Sequence, residues 1–200
     1  MTDQFSYLSV LLSVIVGLAV TQILKGYRGM VLSPVRVRMY WPTLLWSMSL
    51  LVINVQSWWA MFGLRDTRNW TFAGFAVVLL QTILQYMLAA IVFPDFLGPE
   101  RVDLREHYWR HVRSFFGLSI LVLLASLGKD LAIGGHLKDP LDLSFHLIWI
   151  ALAAIGAVTR REWFHKALAI VMAALICLYI VVLFTHLPHI DESQGTAISR

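Results

Sequence analysis

Charge and cysteine are both scarce in this sequence. Of its 200 residues, 14% are charged and 58% are hydrophobic, whereas about 25% of the residues in a typical soluble domain are charged. This balance indicates that lipid surrounds most of the chain. Cys177 is the only cysteine, so it cannot form an internal disulfide, and its isolation argues against a thiol–disulfide enzyme. We interpret it as a packing residue.

Motifs that mark common enzymes and channels are missing as well. The chain has no Gly-rich phosphate loop, no G-x-S-x-G nucleophile motif and no T-V-G-Y-G selectivity filter. No connection between the apolar runs is long enough for a separate soluble domain. The sequence therefore does not indicate an enzyme, and any chemistry should lie within the apolar runs or at their ends. The net charge of +4 requires no nucleic acid partner.

Long apolar runs dominate what is present. There are six of them, at about 6–24, 40–62, 72–93, 114–133, 141–158 and 166–187. Each is close to the length of about 20 residues that a membrane-spanning helix needs, and each is apolar on all sides rather than alternating, which argues against β-strands. The sequence predicts an all-α membrane protein, with six transmembrane helices in a compact bundle and residues 1–200 in a single integral membrane domain. "MTDQF" has no Lys or Arg before the first run, so we expect a retained helix rather than a cleaved signal peptide.

The middle of the chain predicts one further helix, at the membrane surface. Residues 103–113 have an apolar and a polar side, which is typical of an interfacial connector helix. Asp103 is expected to cap it, with Glu106 three residues later. Because three spans precede this connector and three follow it, the order of the helices is compatible with an inverted 3+3 arrangement, as in many transporters.

The distribution of Lys and Arg predicts the orientation. Eleven of the 16 fall in three alternate connections: Lys25, Arg28, Arg36, Arg38, Arg101, Arg105, Arg110, Arg113, Arg160, Arg161 and Lys166. Such residues tend to stay in the cytoplasm. We therefore expect a bacterial-type inner (cytoplasmic) membrane as the location, with the N- and C-termini outside. Trp residues at the ends of several runs are typical of an aromatic belt at the membrane surface.

Small residues form stripes that suggest close helix packing. Ser9, Ser13, Gly17 and Thr21 recur every four residues in the first run, a pattern that lets another helix approach. The partner helix could belong to the same chain, to a second copy in a homo-oligomer or to another membrane protein. Besides the lipid bilayer itself, these are the only partners that the sequence indicates.

Ionisable residues near the outer ends of the fourth and fifth runs are candidates for function. Lys129 and Asp130 are adjacent, and Asp142 and His146 lie one helical turn apart. In one interpretation Lys129 extends to the lipid headgroups and the others are ordinary interface residues. In the other, they line a cavity that responds to protons or cations, because nearby carboxylates favour the charged form of an imidazole.

Neutral polar residues also occur within the runs, namely Asn54, Gln56, Gln81 and Gln85. Hydrogen bonding between helices accounts for them more simply than coordination of a solute. They are therefore interpreted first as packing residues.

Two pairs of histidines offer alternative chemistry. His146 and His186 are expected at similar depth on antiparallel helices, where two imidazoles could ligate haem. His107 and His111 form an H-x-x-x-H pair that could hold a metal ion, although the zinc protease motif is absent. The sequence requires no cofactor.

Three functions remain open at this point. The leading hypothesis is a transporter or channel for a small ion or solute, with Lys129, Asp130, Asp142 and His146 as a proton-responsive site. The alternatives are a haem- or metal-binding redox protein, and a structural or partner-binding membrane subunit without catalysis.

Overall fold

The structure is a computed structural model that describes residues 4–33, 36–65, 67, 70–94, 102–135 and 140–183. These contain six long helices: α1 (Gln4–Leu32), α2 (Trp41–Met61), α3 (Phe72–Ile91), α4 (Leu104–Gly134), α5 (Pro140–Val158) and α6 (Glu162–Leu183). All six are long and apolar enough to cross a membrane. The predicted all-α membrane fold with six spans is therefore confirmed. A short 3₁₀ turn, Phe62–Leu64, extends α2.

Some helices run beyond the predicted spans. The first continues to Leu32 instead of ending near residue 24, and α6 begins at Glu162 instead of near 166. Residues 184–187 of the predicted sixth span lie outside the described residues. The connector at 103–113 is not separated from the fourth span, because α4 continues for 31 residues without a break. At 1.5 Å per residue it is about 46 Å long, so part of it must extend beyond a hydrocarbon core of about 30 Å.

Two short strands join the connections that precede α2 and α4. β1 (Val37–Arg38) pairs in parallel with β2 (Val102–Asp103), with Val37 opposite Val102. Two spans separate these strands in the chain, so both connections lie at the same end of the bundle. The start of α6 lies there too, because Arg105 of α4 bonds to Glu162 at 2.7 Å. We call this the basic end, and the other the chamber end.

Asp103 caps α4 at the basic end, as the sequence predicted. Its Oδ1 accepts hydrogen bonds from the backbone N–H groups of Arg105 and Glu106, at 2.8 and 3.1 Å. Burial opposes its ionisation, but these two bonds and the guanidinium of Arg38, at 3.2 Å, outweigh it and hold the pKa of Asp103 below its ordinary value. Glu106 does not close the capping box by the bonds described, but pairs with Arg110 at 2.6 Å.

A buried histidine organises the aromatic packing at the same end. His165, on α6, is fully buried and donates from Nε2 to the carbonyl oxygen of Thr159, so its Nδ1 accepts from the hydroxyl of Tyr108 at 2.7 Å. The indole of Trp109 lies 4.7 Å from its ring. Trp109 is partly buried and packs against the core at this end. This network joins α4 to the turn between α5 and α6.

Helix packing leaves a gap beside α2. α1 lies along α3, α3 along α4, and α4 along α5, while α2 packs mainly against α6 and α1. Although α2 and α3 are consecutive, their backbones approach closely at few points, and the same holds for α2 and α4. The two halves are not packed alike, because α1 packs extensively on α3 whereas α4 does not do so on α6. The inverted 3+3 arrangement stays a prediction.

Candidate functional site

Two adjoining cavities fill the gap beside α2. The wide chamber, of about 300 Å³, lies between the ends of α2 and α4, the middle of α3 and the start of α5. The narrow cavity, of about 90 Å³, extends from it toward the middle of the bundle. Six residues line both cavities: Gln56, Ser57, Gln81, Gln85, Ser126 and Tyr179. The two cavities adjoin at these residues, and together we call them the polar path, although most of their wall is apolar.

Charged residues lie in the wide chamber. Lys129 and Asp130, from the last turns of α4, line it together with Asp142, from the first turn of α5. Asp130 is only 6% exposed. Helix α4 can end directly beyond them because Gly135 adopts a left-handed conformation, with φ of 68°, and its N–H bonds to the carbonyl of Leu131. Three of the four residues predicted as a proton or transport site therefore share one chamber.

The fourth residue, His146, lines the narrow cavity and faces Asp142. Its Nδ1 lies 2.8 Å from the backbone carbonyl oxygen of Asp142 and 3.5 Å from the Oδ1 of the same residue. Because a carbonyl oxygen only accepts, Nδ1 carries the proton, and Nε2 is the nitrogen that can accept another. His146 is 6% exposed, so a change in its charge would be felt strongly by the cavity.

Tyr179 connects this pair to α6. Its hydroxyl donates to Asp142 Oδ1 at 2.9 Å, and the side chain lines both cavities. The carboxylate of Asp142 also lies near the N-terminus of α5, where the helix dipole favours a negative charge. Asp142 is thus held by two helices at the point where the cavities meet.

Neutral polar side chains cover the opposite wall. Gln85 donates from Nε2 to Ser57 Oγ at 2.7 Å, which links α3 to α2 as the sequence interpretation proposed. Asn54 instead donates from Nδ2 to the carbonyl oxygen of Leu50, one turn back in its own helix. The oxygen of each amide, Asn54 Oδ1 or Gln85 Oε1, is buried and has no hydrogen-bond partner in the described part of the chain. Interhelical hydrogen bonding therefore accounts for these residues only in part.

The alternative cofactor sites remain predictions. His186 lies outside the described residues, so its position relative to His146 is not known. The rings of His107 and His111 lie 4.3 Å apart. His107 uses Nε2 to donate to the carbonyl oxygen of Ile91, and His111 uses Nδ1 to donate to that of His107. Among the described residues no three His, Cys, Asp or Glu side chains are grouped closely enough to hold a metal ion.

The sequence did not predict that Tyr179 and Ser57 belong to the site. Each lies in an apolar run, where a single tyrosine or serine gives no distinguishing signal. Their role becomes visible only because the fold places Tyr179 against Asp142 and Ser57 against Gln85. Helical periodicity shows which residues share a side of α6 with Tyr179, but it does not show which side of α6 faces α5.

These features define the chain as a six-span helical membrane protein with a polar path between its helices. Comparison with known protein families, with curated proteins and with solved structures finds no match for this chain. The function must therefore be argued from the geometry alone.

Proposed function

We propose that the protein transports or conducts a small ion or solute through the polar path, under the control of protons at the wide chamber. The observation that carries this proposal is the position of Asp130 and Asp142 in a chamber that continues into the middle of the bundle. Ionisable groups inside a membrane are costly, so they are typically retained where a substrate or proton passes.

The residues of the chamber have distinct proposed roles. Asp142 and His146 lie close enough to share a proton, and the hydroxyl of Tyr179 holds the carboxylate of Asp142 in place. Asp130 and Lys129 lie on the same chamber wall and set its charge. The chamber thus brings two carboxylates and one ammonium group together beside the imidazole of His146.

Proton flux into proteoliposomes that contain a pH-sensitive dye tests this proposal. We expect protein-dependent flux after a pH step, and a decrease of roughly tenfold or more in Asp142→Asn, as the loss of about 1.4 kcal/mol of interaction implies. Tyr179→Phe should reduce flux less, since it leaves the carboxylate in place. Glu106→Gln is the matched control, because it removes an exposed carboxylate from α4 at the basic end. Equal flux in Asp142→Asn and the control would contradict the proposal.

A further inference from the structure

The narrow cavity contains acceptors that nothing in the described chain satisfies. Asn54 and Gln85 are 1% and 4% exposed, and both line this cavity. Because Asn54 Nδ2 donates to the carbonyl of Leu50, the atom left over is the oxygen, Oδ1. Gln85 likewise keeps Oε1 without a partner while Nε2 bonds to Ser57. A buried oxygen without a donor is costly, so a ligand that is a donor or a cation would relieve this cost at each oxygen that it contacts.

The other groups on the cavity wall favour the same kind of ligand. Ser119 uses its proton to bond to the carbonyl oxygen of Phe115, so its oxygen can only accept from the cavity. Aromatic rings from Phe145 and Trp149 line the remaining wall, and such rings attract cations. Among the fully buried side-chain atoms of the lining that have no hydrogen bond in the described chain, Trp46 Nε1 is the one donor, and it lies near the hydroxyl of Tyr108 outside the cavity.

Size and charge narrow the class of ligand. A cavity needs about 10–15 Å³ of internal space to hold a water molecule, so one of about 90 Å³ has room for several waters or for a small ion. The wide chamber that leads to it presents two carboxylates and one ammonium group, so it attracts cations rather than anions. Divalent ions prefer several carboxylates or keep their waters, whereas this cavity presents neutral oxygens.

We infer that the narrow cavity is a binding site for a small monovalent cation, of the alkali or ammonium class, with Asn54 Oδ1 and Gln85 Oε1 among its ligands. This inference rests on the proposed function and names the substrate class of the same path. The carboxylates of the wide chamber would draw the cation in, and the amide and hydroxyl oxygens would replace part of its water shell.

Thermal unfolding of the full chain in detergent tests the site without requiring transport. Sodium, potassium or ammonium chloride replaces choline chloride at constant chloride concentration. Since a ligand that binds only the folded state stabilises it, we expect a saturable rise of roughly 5 °C in Tm at 100 times Kd for at least one of these ions. Calcium chloride at equal ionic strength should give no such saturable rise.

Three variants identify the site. Gln85→Met and Asn54→Leu replace an amide by an apolar side chain on different helices. Each should raise the cation concentration needed for half-saturation by roughly tenfold or more. Thr43→Val is the control, because Thr43 is 1% exposed, is on α2 like Asn54 and also has an unpartnered hydroxyl, but does not line the cavity. Two variants are used so that the test can still be made if one of them does not fold.

The outcomes separate this inference from the proposed function. No saturable effect of any monovalent ion on the folded wild-type protein would overturn the cation site, and would indicate that water alone fills the cavity. Unchanged half-saturation in Gln85→Met and Asn54→Leu would overturn it as well. If cations bind at these residues but no variant changes the proton flux, the site stands and the transport proposal fails. If flux depends on Asp142 but no cation binds, the transport proposal stands and the cation site fails.

Discussion

At the scale of single residues, Asp103 links three parts of the basic end. It caps α4, forms an ion pair with Arg38 and stands in the short parallel sheet. Replacing Ser, Thr, Asp or Asn at a helix N-cap by alanine costs about 1 kcal/mol. We therefore expect Asp103→Ala to lower the free energy of unfolding by about that amount at neutral pH. Denaturant unfolding of the purified protein in detergent measures this difference.

The contribution of Asp103 should also depend on pH. Its pKa in the folded chain lies below the ordinary value of about 3.9, so the charged form is favoured by folding. The stabilisation is thus fully present above about pH 4 and is lost as the pH falls through the folded pKa. The difference between wild type and Asp103→Ala should shrink when unfolding is measured near pH 3. A difference that stays constant would show that the charge of Asp103 plays no part.

The sequence predicted single residues well where local rules apply, and poorly where helix rotation decides. The cap at Asp103 depends on spacing along one helix, so it was predictable. The convergence of Lys129, Asp130 and Asp142 was one of two open interpretations, because it depends on how α4 and α5 are turned toward each other. The bond from Tyr179 to Asp142 and the burial of His165 need the same information. The pattern of a single apolar run predicts neither this bond nor this burial.

At the scale of helices, the number of spans followed from the apolar runs, but their ends did not. Lys25 and Arg28 made the first run appear to stop near residue 24, yet α1 continues to Leu32 because the side chain of Tyr27 packs on Phe93 and bonds to Ser47. The fourth run appeared to begin near 114 for the same reason, since charged residues precede it. Charge marks where a helix leaves the lipid, which is not where the helix ends.

Close approach of α1 to the end of α3 gives a test at this scale. A Cβ atom on Gly26 would overlap the ring of Phe93, whereas one on Gly17 would meet nothing within 4 Å. Gly26→Ala should therefore destabilise the protein by about 1–3 kcal/mol through overpacking. Gly17→Ala, in the same helix, should be neutral or should stabilise by up to about 1 kcal/mol, since alanine favours the helix. Equal effects of the two substitutions on thermal unfolding would contradict the packing of α1 described above.

At the scale of the whole molecule, several contacts require the helices to alternate in direction. The strand pair joins connections that are two spans apart, and Arg105 meets Glu162 across two further spans. At the other end, Asp142 at the start of α5 meets Tyr179 near the end of α6. These contacts group the ends of the helices into two sets. They leave open which set faces the cytoplasm, and this decides whether the wide chamber opens outward or inward.

The distribution of positive charge predicts which end faces the cytoplasm, and labelling can test this prediction. Because Lys and Arg concentrate in connections at the basic end, we expect that end in the cytoplasm and the wide chamber open to the outside. In a Cys177→Ala background, Thr67→Cys should react with a membrane-impermeant maleimide in intact bacterial cells, and Arg160→Cys only after permeabilisation. The reverse pattern would turn the chamber toward the cytoplasm. Under the proposed function, protons would then enter the wide chamber from inside the cell, and the direction of any coupled flux would be inverted.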